Sequence, residues 1–259
     1  MAKFSDKATI MIQTRTGSSR LPNKVLAKIG DKPMIWHVIN RAKKVKSVAQ
    51  IALITTTSKN DMILLKIAEQ NSIVGFSGKK SDVLDRHYQC AKKIRADPII
   101  RITSDCPLVD PVLVEKILQF YRKNNYDFVS NAITPTYPDG LDVEVFSFKA
   151  LQKAARHAKK KYDKEHVTTF FINNPDKFKI YNYQNNKNLS YMRWTVDRRN
   201  DLKFVRSIYH ELEPDIEFSM NKVLRVLKKN PRLLEINKGI MRNEGHLKST
   251  YRKFHGRGT

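Results

Sequence analysis

The stretch ATIMIQTRTGSSRLPNK, residues 8–24, runs from an apolar segment into a loop that sets Arg15, Arg20 and Lys24 among Thr14, Thr16, Gly17, Ser18 and Ser19. The β-branched residues at 8–14 predict a strand, and MIWHVINRAKKV after Pro33 predicts a helix with proline in its first turn. A loop that leaves a parallel strand and feeds a helix offers free backbone N–H groups. Guanidinium and ammonium groups add the positive charge needed to hold a triphosphate. The GxxxxGK[ST] pattern is absent and the loop has one glycine, so side chains must hold much of the phosphate.

Working outward, short β-branched runs at 50–57, 73–76, 98–103 and 126–131 alternate with helical patterns. Ser58 with Asp61, Ser81, and Asp110 before Pro111 mark helix starts. This alternation predicts an α/β fold, a mainly parallel sheet flanked by helices. Right-handed crossovers then bring the strand-to-helix loops to one sheet edge, so the opening loop and TSDCPLVD (103–110) face one crevice. Beyond 131 the pattern changes. Pro138, Asp139 and Gly140 form a turn, and in the strand expected after it Asp142 and Glu144 share one face. Helices are expected near 148–160, 163–173, 200–212 and 219–229, and strands near 177–183 and 189–196. The residues after Asn230 read as a basic, weakly patterned, loosely packed extension.

Of 259 residues, 41% are hydrophobic, enough for a real core. The net charge of +24 favours anionic partners. Cys90 and Cys106 are the two cysteines, without CxxC spacing, so free thiols in a reducing compartment are expected. No run approaches the length of a membrane span and the amino terminus lacks a signal-peptide core, which reads as a cytoplasmic protein. Lysine and arginine are spread over helices such as RAKKVK and HAKKKYDK, and no nucleic-acid-binding motif is present, which argues against a nucleic-acid partner.

Four segments taken together, RTGSSRLPNKVLAKIGDKPMIWHVINRA (15–42), RITSDCPLVDP (101–111), YPDGLDVEVF (137–146) and MRWTVDRRNDL (192–202), resemble the cytidylyltransferases that make CMP-activated acidic sugars. The likeness extends to enzymes for 3-deoxy-manno-octulosonate and nonulosonates and to the spore coat polysaccharide biosynthesis protein F branch. The resemblance implies a Rossmann-like nucleotidyltransferase fold, often a homodimer, that uses Mg²⁺ to join an acceptor oxygen to the α-phosphate of CTP. It implies that Arg15, Arg20 and Lys24 bind the triphosphate and that Asp105 binds the metal.

On that basis residues 1–131 are the nucleotide-binding core and 132–190 a small inserted acceptor-binding or dimerisation element. Residues 191–230 return to the core with a metal-binding Asp, and 231–259 form the basic extension. Asp105 and Asp197, each at an expected strand end, form the metal pair, since Mg²⁺ takes one or two carboxylates plus phosphate oxygens and water. Arg15, Lys24 and Asp105 are the catalytic candidates. Thr14, Thr16, Gly17, Arg20, Gly78, Arg86 and Ser104 join Arg15 and Lys24 as nucleotide-binding candidates, with Asp82 also considered. Arg20, Asp142, Glu144, His166 and Arg193 are the acceptor-binding candidates, the acceptor being an acidic small molecule. Each also has a structural reading, as local ion pair, cap neighbour or exposed strand face. The same fold is open to another nucleotide, to a polyol phosphate or phosphonate acceptor, or to glycosyl transfer.

Overall fold

A computed structural model describes residues 8–242. The central sheet runs in the order β5-β4-β1-β6-β8-β7-β9. Its strands are β1 (Thr9–Gln13), β4 (Gln50–Thr56), β5 (Val74–Gly78), β6 (Ile99–Thr103), β7 (Phe128–Ser130), β8 (Glu144–Phe146) and β9 (Ile180–Asn182). Only β8 runs antiparallel to its neighbours, pairing β6 and β7, so the expectation of a mainly parallel sheet holds. Two short strands, β2 (Lys28–Ile29) and β3 (Lys32–Pro33), form a separate antiparallel pair after the opening loop.

Alternation along β1 explains the layers. Ile10 and Ile12 face one core and Met11 the other, all fully buried. The first core is closed by α1 (Met34–Ala42), α2 (Met62–Gln70), α4 (Pro111–Lys123), α8 (Arg199–Leu212) and α9 (Met220–Lys229). The second is closed by α3 (Val83–Ile94), α5 (Phe148–His157) and α7 (Thr169–Ile172), with α6 (Lys161–Glu165) beside α3. Burying each such aliphatic side chain contributes about 1.5–3 kcal/mol, which is why the strands read as near-continuous apolar runs.

The chain steps from β1 to β4 to β5 on one side, then crosses to β6 on the other side of β1. The carboxyl ends of β1 and β6 therefore form the switch point where open α/β sheets present a crevice. The residues after these strands, 14–24 and 104–110, lie there.

Several local expectations change. The single helix expected at 163–173 is two short ones, broken at Val167, whose φ is +46°. The strand expected at 189–196 is absent: one isolated bridge joins Asp139 to Arg193. The strand expected from 141 begins only at Glu144, leaving Asp142 in the preceding loop. Asp82 rather than Ser81 caps α3, its carboxylate accepting from the Asp85 N–H at 2.9 Å. The Asp110 cap holds, accepting from the Val112 N–H at 2.8 Å, and its other oxygen accepts from the Met220 N–H at 2.7 Å. No described helix is long and apolar enough to cross a membrane.

Candidate active site

The opening loop is shaped by a residue that sequence reading placed elsewhere. Asp61 looked like the capping partner of Ser58, yet neither side chain caps the helix. The Asp61 carboxylate instead accepts from the Thr16 N–H (2.7 Å), the Thr16 hydroxyl (2.6 Å) and the Thr56 hydroxyl. Burial raises its pKa, but the two hydroxyls and the N–H outweigh that and hold it below the usual value. The loop is thereby clasped to the end of β4. Arg15 stays exposed on it.

Thr14 is buried, its N–H donating to the Ile54 carbonyl at 2.9 Å, with no partner for its hydroxyl. Ser104 is buried beside it, its N–H donating to the Gln13 carbonyl at 3.0 Å. Gly17 is exposed, and a Cβ there would meet nothing within 4 Å, so no close approach requires glycine. Gly78 differs, because a Cβ would lie 2.9 Å from the Arg86 Cγ. Arg86 packs over Gly78, is 2% exposed and donates to the Lys79 carbonyl at 2.7 Å. Burial first, then the neighbouring Arg15, lowers its pKa to about 10. It lies beneath the loop, with its charge close to that of Arg15.

The centre of the site is Lys24, delivered by the turn Lys24–Leu26. Its ammonium donates to Asp105 Oδ2 (2.7 Å), Asp197 Oδ1 (2.8 Å) and the Val196 carbonyl (2.9 Å). Arg20 also pairs with Asp197 Oδ1, at 2.6 Å. Cations and acids therefore interleave, whereas the sequence reading had Lys24 aimed at a triphosphate. Burial lowers the Lys24 pKa, but Asp105 and Asp197 outweigh it and hold the ammonium above its usual value. Burial likewise raises Asp105 and Asp197, and Lys24 reverses both, leaving each below the ordinary carboxylate range and Asp197 far below it. Both acids stay ionised across the neutral range.

Asp197 reaches this point without a strand. The Val196 N–H donates to the Asp105 carbonyl at 2.8 Å, and the Trp194 N–H to the Asp139 carbonyl at 2.6 Å, so 193–197 lies along two loops. A sheet ladder is not needed because these loops already pair its backbone. Gly140 permits the approach: its φ is +106°, and a Cβ would lie 2.5 Å from the Thr195 nitrogen.

The acceptor candidates separate. Arg193, 7% exposed, is saturated by Asp139 Oδ2 (2.8 Å), Asp201 Oδ1 (2.9 Å) and Asp197 Oδ2 (3.1 Å). In the fold its partners are these three acids, and the contact with Asp197 helps hold that residue in place. Glu144, buried, pairs across the sheet with Arg101 and accepts from the Thr168 hydroxyl at 2.6 Å. Asp142 pairs with Arg242 at 2.5 Å; burial first, then Asp139 and Glu144, push its pKa up to about 7 against the pull of Arg242. His166 ends α6, its ring 4.7 Å from that of Tyr162.

Asp61, Asp139, Asp201, Asn237 and Arg242 escaped sequence reading. Asp61 looks like a helix-start acid and Asp139 like a turn residue; Asp201 carries no reading of its own, and Asn237 and Arg242 lie in a stretch read as loosely packed. In fact Leu233 and Asn237 are buried, and Arg242 donates to the Tyr137 carbonyl at 3.0 Å. Residues 243–259 of that extension lie outside the described residues.

A family model described as Cytidylyltransferase matches residues 9–236. The chain is similar to the spore coat polysaccharide biosynthesis protein SpsF of Bacillus subtilis, 26% identical over 230 residues, covering 85% of this chain and 94% of that one. It is similar to the 8-amino-3,8-dideoxy-manno-octulosonate cytidylyltransferase of Shewanella pealeana, 28% identical over 173 residues and 63% of each chain. Among solved structures, a cytidylyltransferase from Leptospira borgpetersenii superposes with a TM-score of 0.86 at 30% identity, covering 91% of this chain and 99% of that one.

Proposed function

Because the chain belongs to the cytidylyltransferase family, whose members are nucleotidyltransferases, we propose that it transfers CMP from CTP to an acidic sugar, with Mg²⁺, releasing pyrophosphate. The observation that carries this reading is the convergence of Asp105 and Asp197, far apart in sequence, on one cationic point at the sheet's switch point.

The donor set fits Mg²⁺. Two carboxylates offer hard oxygen atoms, and no thiolate or imidazole is among them. Mg²⁺ needs only one or two carboxylates, since it completes its shell with phosphate oxygens and water. Asp105 and Asp197 would hold the ion. A bound Mg²⁺ supplies neutralisation of the charge that builds on the α-phosphate and on the departing pyrophosphate.

The chain's own residues do the rest. Lys24 gathers the two acids and keeps them ionised before substrate arrives. Arg15, exposed on the clasped loop, takes β- and γ-phosphate oxygens, and buried Arg86 strengthens the field there. An acceptor hydroxyl oxygen then bonds to the α-phosphorus, the bond to the β-phosphate breaks, and the hydroxyl proton passes to water. Arg20, paired with Asp197, serves either the triphosphate or the acidic acceptor.

Pyrophosphate release with each of the four nucleotides, against a panel of acidic sugars, polyol phosphates and phosphonates, tests the reading. CTP consumption with an acidic sugar supports it. Turnover only with another nucleotide would falsify the cytidine assignment, and turnover only with a polyol phosphate or phosphonate would move the acceptor.

A further inference from the structure

After α9 the chain turns back across the acid cluster. Pro231–Glu235 makes a 3-10 turn that buries Leu233, and Asn237 follows at 5% exposure. The Asn237 amide nitrogen donates to the Arg193 carbonyl at 2.9 Å and to Asp201 Oδ1 at 3.1 Å. Both recipients act on Asp197. Arg193 donates to Asp197 Oδ2 at 3.1 Å, and Asp201 Oδ2 accepts from the Asp197 and Arg198 N–H groups, each at 2.9 Å. Asp201 is wholly buried. One oxygen of Asp197 is thus left to Lys24 and Arg20, while its other oxygen and its backbone are fixed from behind.

We infer that Asn237 is a positioning residue that sets the orientation of Asp197 through Arg193 and Asp201. The inference rests on the reading of Asp197 as a metal-binding acid. An amide suits the place because one nitrogen supplies two donors, to a carbonyl and to a carboxylate, with no charge of its own. Outer groups that orient a ligating carboxylate typically govern metal affinity by 10–100-fold.

The test is Mn²⁺ binding to the full chain, followed by electron paramagnetic resonance, in the presence of CTP. Asn237→Leu keeps the branched side-chain outline, with bulkier methyl groups, and removes both donors; Asn237→Ala, whose cavity admits water, carries the test if the leucine variant does not fold. Either is expected to bind Mn²⁺ at least about threefold more weakly, less than the roughly 10–100-fold cost of losing a direct partner of Asp197. The KM for CTP at saturating metal should change by less than about twofold, since Asn237 touches no phosphate-loop residue. Arg225→Ala, on the exposed side of α9, should bind Mn²⁺ as the unaltered protein does. A folded variant with unchanged Mn²⁺ affinity overturns the inference. If the unaltered protein binds no Mn²⁺, the metal reading falls instead. Crystal structures of the unaltered protein and Asn237→Leu then decide the positioning claim, which an unmoved Asp197 carboxylate defeats.

Discussion

Lys24 contributes to folding and to the proposed chemistry by the same contacts. Its ammonium separates two acids that would otherwise repel, and burial makes that repulsion costly. Lys24→Ala should therefore lower stability by about 3 kcal/mol in metal-free buffer. Mg²⁺ should restore part of the loss, because a cation again lies between Asp105 and Asp197. Thermal unfolding with and without Mg²⁺ checks this; an equal metal-induced rise in the variant and the unaltered protein counts against metal at the acid pair. Residue identity alone did not reveal these pairings. The sequence marks Arg193 and Glu144 as charged groups near an acceptor segment, but their partners, Asp139, Asp201 and Arg101, come from elsewhere in the chain.

Among the elements, the strands and helices of the first 130 residues were legible because apolar periodicity is a local property. The segment 193–197 was not. Val196 and Trp194 carry the alternation of a strand, yet their backbone N–H groups are taken by the loops at Asp105 and Asp139. Gly140 is the hinge of that arrangement, and its replacement tests it. Gly140→Ala imposes a side chain on a φ of +106° and drives a Cβ against backbone that cannot swing aside. The loss should be at least about 2 kcal/mol. Gly17→Ala, where a Cβ meets nothing, should change stability by less than about 0.5 kcal/mol. Urea unfolding midpoints of the two variants measure the contrast.

Across the whole molecule, two sets of acids give stability opposite slopes with pH. Asp105 and Asp197 are depressed in the fold, so their stabilisation is complete above the usual carboxylate pKa and is lost as pH falls through the folded values. Asp142 is raised to about 7. Between pH 4 and 7 the folded chain holds a proton there that the unfolded chain has released, so this residue makes stability fall as pH rises, by on the order of 1 kcal/mol per pH unit. Asp142→Asn should flatten that slope without touching the loss below pH 4. Urea unfolding at pH 5, 6 and 7 reads the difference, and an unchanged slope would mean that Asp142 ionises normally.

The sequence by itself determined the βα alternation, the basic loop at the end of the first strand and the edge of the sheet where a ligand belongs. Those follow from periodicity, turn chemistry and the handedness of crossovers, which neighbouring residues specify. Only the tertiary structure decided that Lys24 lies between Asp105 and Asp197, that Asp61 clasps the loop rather than capping a helix, and that the stretch after α9 closes on the acids. Side-chain partnership depends on which distant groups arrive within about 3 Å of each other, and no local pattern encodes that distance.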